Sequence, residues 1–206
     1  MAEAMLQVEN ISRPPLLAPA SLAVGPGECG VVMGASGSGK SLLARAIVDL
    51  DPNEGDARWQ GRSRNAMPAH EWRALVGYVP AEPGWWAEHV GDHFPFPGDM
   101  DDLLAAVGLP ADAMLWKVSR ASSGERQRLA ILRALAHEPR ALILDEPTSA
   151  LDEASRHKVE ALLEKLLEDG LALLLITHDA AQAARLGARF WSMEQGRLAP
   201  RERPAP

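Results

Sequence analysis

The stretch Gly34-Ala35-Ser36-Gly37-Ser38-Gly39-Lys40-Ser41 leaves this chain few folds to choose from. It matches G-x-x-x-x-G-K-[ST]. Glycines at those positions let successive backbone N–H groups curl around a β-phosphate. The lysine reaches the β- and γ-phosphates, and the serine hydroxyl is a ligand for Mg2+. Such a loop works only between a strand and a helix. Cys29 to Met33 is a short apolar run suited to a buried strand. Lys40 to Leu50 reads as a helix stopped by Asp51-Pro52-Asn53. Its positive end points at the same anion.

An acidic partner lies further on. Ala141 to Leu144 reads as a buried strand, and Asp145-Glu146 follows it directly. Asp145 can orient Mg2+, through its waters. Glu146 sits where a carboxylate can polarise an attacking water. Buried strands often end in acidic caps, so the pair gains its meaning from the phosphate loop.

The rest of the chain supplies an α/β frame. Leu6 to Ile11 alternates apolar and polar residues like a half-buried strand, and Ser21 to Val24 reads as a second. A Pro-rich loop, Arg13 to Pro19, separates them, which predicts a small antiparallel layer at the N-terminus. Glu125 to His137 and Glu153 to Asp169 carry helical apolar spacing. Leu171 to Ile176 is another buried strand, Ala180 to Leu186 a helix, and Phe190 to Met193 a last strand turned by Gly196. Strands alternating with helices predict a parallel sheet of the RecA-like, P-loop NTPase kind. The stretch from Ala81 to Arg120, with Pro83, Pro95, Pro97 and Pro110, reads as a short helical and irregular insert, with Met100 to Val107 as a helical stretch. The expected division is one domain over 1–206. Its core is 1–80 and 139–197, its helical subdomain 81–138, and its frayed tail 198–206.

Charge and cysteine content narrow the class. Lys+Arg 21 against Asp+Glu 28 gives a net charge of −7, which disfavours a nucleic-acid coat. The one cysteine, Cys29, excludes an internal disulfide and fits a reducing compartment. No apolar run approaches the ~20 residues of a bilayer helix, and the first ten residues do not read as a signal peptide. A cytoplasmic chain is expected, with any membrane role played through a partner.

Further residues carry a family resemblance. Ala121-Ser122-Ser123-Gly124-Glu125-Arg126-Gln127-Arg128 is similar to the Leu-Ser-Gly-Gly-Gln signature and its basic helix in the ATP-binding cassette (ABC) ATPases. Ser149-Ala150-Leu151-Asp152 resembles their D-loop, though Asp152 also reads as the N-cap of the next helix. His178 resembles their switch histidine. The ordered set runs from about Leu6 to Gly196. The resemblance implies two such domains, identical or different, closing head to tail around two ATP molecules. Each ATP would lie between one chain's Gly34–Ser41 and the other's Ser122, Ser123, Gly124 and Glu125. It further implies Glu146 as catalytic base, with His178 and Lys40 at the γ-phosphate and Ser41 and Asp145 at Mg2+. A separate membrane permease would hold the ATPase at the inner face of the membrane. A low-turnover nucleotide-binding module, or a soluble non-transport ABC ATPase, are the alternatives.

Four departures qualify the resemblance. Where the family has a metal-contacting glutamine after Tyr78-Val79-Pro80, this chain has Ala81. Either Glu82 substitutes, or Ser41 and Asp145 act alone. Where the family stacks an aromatic on adenine there is Arg13-Pro14-Pro15-Leu16, and either Arg13 or Leu16 could contact the base. The signature carries Ala121, Ser123 and Glu125 in place of Leu, Gly and Gln. The short insert, and the lack of room after Gly196 for a regulatory domain, point to a compact transporter subunit. Trp85-Trp86 follows the Ala81 loop where family members dock their permease, and at least one of the two is expected at the surface. His89 to Phe96 is similar to a stretch in small ATPases paired with putative metal-efflux permeases. His89 and His93 are either a metal site or surface histidines.

Overall fold

The computed structural model describes residues 6–95 and 100–204. Phe96 and Pro97 of the insert, and the chain's first five and last two residues, lie outside them. In chain order the strands are β1 (Leu6–Arg13), β2 (Leu17–Val24), β3 (Cys29–Met33), β4 (Glu54–Trp59), β5 (Arg62–Ser63), β6 (Val76–Val79), β7 (Ala141–Asp145), β8 (Ala172–Ile176), β9 (Arg189–Glu194) and β10 (Arg197–Arg201). The helices are α1 (Lys40–Ile47), α2 (Ala69–Leu75), α3 (Asp101–Ala106), α4 (Ser123–Leu135), α5 (Glu153–Glu168) and α6 (Ala180–Leu186). They build an antiparallel sheet, β2-β1-β4-β5, over a second sheet, β10-β9-β3-β8-β7-β6, whose strands from β9 to β6 are parallel.

β3, β8 and β7 up to Leu144 are apolar at every position because both faces of the parallel sheet are covered. Strand alternation then sorts their side chains into two cores. Cys29, Val31, Leu142, Leu144, Leu173 and Leu175 face one core, shared with the insert's Leu104 and Trp116 and with Leu129 of α4. Val32, Ile143, Leu174 and Ile176 face the other, against Leu43 and Ile47 of α1 and the antiparallel layer. Phosphate loop, acidic strand and insert are thus tied into one packed body.

Three segments differ from expectation. β2 begins at Leu17, within the expected loop, and contains Pro19. It is an edge strand, where a missing N–H costs little. The tail expected to fray from Leu198 instead forms β10, antiparallel to β9 with Leu198 opposite Met193. This too is an edge, and Pro200 is tolerated there for the same reason. β4, β5, β6 and α2 were not expected: β4 and β5 bury few apolar residues, β6 is only four residues long, and α2 buries Trp72 alone. Of β4 only Ala57 and Trp59 are buried, yet the strand lies between β1 and β5.

α1 ends at Ile47, three residues before Leu50, because Asp49 turns left-handed at φ 57 and Leu50 N–H closes back on Arg45 O at 2.9 Å; its last carbonyls carry side-chain donors as well. Trp72 is fully buried and donates its indole N–H to Ile47 O at 2.9 Å. Arg64, also buried, donates to Ala46 O and to the Asn53 side chain. A guanidinium on the C-terminal carbonyls complements the helix dipole and fixes the helix that carries the phosphate loop.

Candidate functional site

The loop Gly34–Gly39 emerges from the C-terminal end of β3, the side on which parallel α/β sheets bind ligands. Gly39 enters α1 with φ 107, a conformation that favours glycine. Lys40 folds back over its own loop, its Nζ donating to Gly34 O at 2.8 Å and Ala35 O at 2.9 Å. The ammonium is therefore held at the centre of the loop. Gly196, in the β9–β10 turn, donates its N–H to Ser38 O at 2.8 Å and buttresses the loop from behind.

An open cleft unites the expected residues. The whole loop Ala35–Ser41 lines it, with Asp145, Glu146 and His178. Adjacent parallel strands bring them there: β3 delivers the loop, β7 the two carboxylates and β8 the histidine. Asp145 is 2% exposed. Burial pushes its carboxyl above the usual range, opposed by hydrogen bonds from the Ser41 and Tyr78 hydroxyls. Tyr78, on β6, donates to Asp145 Oδ2 at 3.3 Å. Burial, and then the Asp145 charge, raise the Tyr78 phenol well above its ordinary value, so it remains a donor. A buried carboxylate and a serine hydroxyl side by side are hard oxygen donors, a set that fits Mg2+.

Glu146 has φ 50, uncommon for a residue with a side chain. Such a conformation costs about 1–3 kcal/mol and persists where its surroundings enforce it. Here the Glu146 N–H donates to Ile176 O at 2.8 Å, and the Ser149 hydroxyl donates to Glu146 O at 3.0 Å. The kink turns the carboxylate into the cleft, where Oε2 lies 2.8 Å from His178 Nδ1.

The signature segment lies elsewhere: Ser122, Ser123, Gly124 and Glu125 do not line the cleft of their own chain. Ser122 caps α4 in a reciprocal box. Glu125 N–H donates to Ser122 Oγ at 3.2 Å, and Ser122 N–H donates to Glu125 Oε2 at 2.7 Å. This bond holds the Glu125 carboxyl below its usual range and turns its charge back onto its own helix. The Ser122 hydroxyl accepts in this box and keeps its proton for another acceptor. Gly124 packs on the D-loop, since a β-carbon there would lie 2.9 Å from Ala150 O. Asp152 is the N-cap of α5, accepting from Ser155 N–H at 2.8 Å, which lowers its pKa.

The departures resolve as follows. Ala81 lines the cleft, whereas Glu82 is exposed and does not. Arg13 pairs with Asp51 at 3.2 Å, while Leu16 is 59% exposed and lines the cleft beside the loop. Trp86 is 75% exposed, and Trp85 packs against the core. The insert histidines fit neither expectation as a pair. His93 is buried, its Nε2 accepting from Trp86 N–H at 2.9 Å and Ala87 N–H at 3.0 Å. Its Nδ1 lies 3.0 Å from His89 O, so both nitrogens are engaged. Among the described residues no group of three or more His, Cys, Asp and Glu is arranged to hold a metal. Sequence reasoning missed Tyr78 as the partner of Asp145 and the Gly196 buttress. Both depend on which strands are neighbours, which local patterns do not carry.

The chain is similar to proteins of known family. The ABC transporter family pattern matches residues 17–149. An aliphatic sulfonates import ATP-binding protein, SsuB, of Cupriavidus necator is 36% identical over 204 residues, covering 90% of this chain and 63% of that protein. The Fe(3+) ions import ATP-binding protein FbpC of Streptomyces avermitilis is 37% identical over 183 residues, covering 82% of this chain and 52% of its own length. This chain thus spans less than two thirds of either relative. A dimeric ATP-binding cassette solved in a post-hydrolysis state with ADP and Pi superposes with TM-score 0.81 at 27% identity, covering 95% of this chain and 98% of that one.

Proposed function

The chain belongs to the ABC transporter family, and on that premise we propose that it is the ATP-hydrolysing subunit of a membrane transporter whose permease is a separate chain. One observation carries the reading. Phosphate loop, buried Asp145, kinked Glu146 and His178 converge on one cleft, while the signature lies on a different surface of the same chain. The ATP site is therefore completed by a second ATPase domain, whose Ser122 hydroxyl and Gly124 N–H face the phosphates opposite Lys40.

Within the cleft, loop N–H groups and Lys40 hold the phosphates. Ser41 and Asp145 hold Mg2+, which when bound supplies positive charge to phosphate oxygens. Glu146 takes a proton from the water that attacks the terminal phosphorus as the bond to the ADP oxygen breaks and ADP leaves, and His178 holds that carboxylate and the terminal phosphate in register. Trp86, in the groove between Tyr78 and Arg133, is the contact for the permease. No described helix is long and apolar enough to cross a membrane; in this reading the permease carries the membrane association. The two relatives are named for import of chemically different cargoes. That supports import over the efflux pairing drawn from the His89 stretch, and leaves cargo choice to other chains.

The experiment is light scattering of the Glu146→Gln variant with ATP and chelator. Blocked hydrolysis traps the closed state, so a dimer that forms only with ATP is the expected result. A monomer that binds ATP without closing would mean that the second domain is a different chain. Steady ATP turnover by the parent chain separates this reading from a low-turnover module.

A further inference from the structure

Resting on the reading above, we infer that Tyr78 is a positioning residue for the metal site, fixing the Asp145 carboxylate that holds the ion. The argument begins with what faces the carboxylate. Asp145 ends β7, 2% exposed, with Ile143 and Leu144 buried before it. A carboxylate in such a place needs donors on each oxygen that does not face a ligand. Ser41 gives one, and as a metal ligand its hydroxyl oxygen can face the ion while its proton stays on the carboxylate.

Tyr78 supplies a donor with no other duty. β6 lies beside β7 in parallel register, with Tyr78 opposite Ile143. Its ring packs against the second core, and its hydroxyl reaches Oδ2 at 3.3 Å. The ring stem is rigid and half-buried, so the donor is set by the sheet rather than by a mobile loop. At Ala81, three residues on, the cleft wall is a methyl group without donor or acceptor. Oxygens that orient a ligating carboxylate usually matter to affinity about 10–100-fold.

The test compares the parent chain with Tyr78→Phe, which keeps the ring and removes only the hydroxyl. Binding of a fluorescent ATP analogue is measured in chelator and across a Mg2+ titration, and Mn2+ binding by electron paramagnetic resonance. The parent should bind nucleotide in chelator, which verifies the underlying reading independently. Tyr78→Phe should match it there, yet require about tenfold more Mg2+ or Mn2+ for half-saturation. In an Asp145→Asn background, removing the hydroxyl should change nothing further. Equal metal dependence for parent and Tyr78→Phe overturns the inference. So does a loss of metal-free binding in Tyr78→Phe, which would make the hydroxyl a structural group. Loss of binding in the parent itself would instead overturn the reading on which the inference rests.

Discussion

His178 Nδ1 lies 2.8 Å from Glu146 Oε2, a bond across the ends of two adjacent strands. The pair joins a carboxylate that is 19% exposed to an imidazole that is 69% exposed, so one partner is anchored and the other presented. With Nδ1 on the carboxylate, Nε2 faces outward. Two groups arranged in this way act as a unit. His178→Ala and Glu146→Gln should each lower ATP turnover by about 10²–10³-fold, with little change in ATP affinity. The double variant should lose little more than either alone. Losses that multiply would show that the two side chains work independently.

Leu16, rather than Arg13, is the side chain placed to meet a nucleobase, because Arg13 is held by Asp51 while Leu16 stands exposed in the cleft. An isobutyl group has no hydrogen bond with which to read a base edge. ATP and GTP should therefore bind within about threefold of each other, a difference of about 0.7 kcal/mol. Leu16→Tyr should tighten both, since ring stacking on a base is worth about 1–3 kcal/mol and does not depend on its edge. Competition between the two nucleotides for a fluorescent analogue measures this directly.

Much of the site was legible because its chemistry is local. Gly34–Ser41, Asp145-Glu146 and His178 each follow a buried strand, and a run such as Leu142-Ile143-Leu144 reads as such without neighbours. Glu125 was legible as a substitution for glutamine, but not as a capping residue: its carboxylate is bound back to Ser122 N–H in the capping box. What stayed hidden depends on pairing. β4 is polar along most of its length and becomes a strand because β1 and β5 flank it. β10 exists because β9 offers it an edge. His93 offered itself only as a metal ligand or a surface histidine, yet two backbone N–H groups and two tryptophans enclose it.

Gly124 allows the signature helix to sit on the D-loop. A methyl group there would press on Ala150 O at 2.9 Å and Leu151 Cδ2 at 3.2 Å. Since backbone cannot yield as a side chain can, Gly124→Ala should displace the start of α4. In the Glu146→Gln background it should abolish the ATP-dependent dimer while leaving ATP binding to the monomer within about twofold. Gel filtration and equilibrium binding report the two properties separately. Retention of the dimer would mean that the D-loop moves aside on closure.

Arg64 and Trp72 act on stability at a distance from the chemistry. Both are buried and both donate to the last carbonyls of α1. Arg64→Met keeps much of the volume but leaves Ala46 O and Asn53 without the guanidinium. The expected cost is about 1–3 kcal/mol in urea unfolding, the usual penalty for stranding buried polar groups. Nucleotide affinity under native conditions should change far less, because Gly39 and Lys40 at the other end of the helix keep their bonds.

Trp85 and Trp86 are neighbours with opposite duties, and the difference is testable. Trp85 packs on the core and lies against Arg133, whose guanidinium is 4.6 Å from its ring centre. Trp86 is stacked on the same guanidinium at 4.9 Å but is 75% exposed. Arg133 also donates to Gly84 O at 3.0 Å, so one cation organises the whole turn. Trp85→Ala removes buried ring area and should cost about 2–4 kcal/mol of stability. Trp86→Ala should change stability by no more than about 0.5 kcal/mol and leave ATP binding intact. Its loss should appear only when the permease is present, as weaker co-purification with membranes and loss of permease-stimulated turnover. If Trp86→Ala supports both at parental levels, the permease docks elsewhere on this surface.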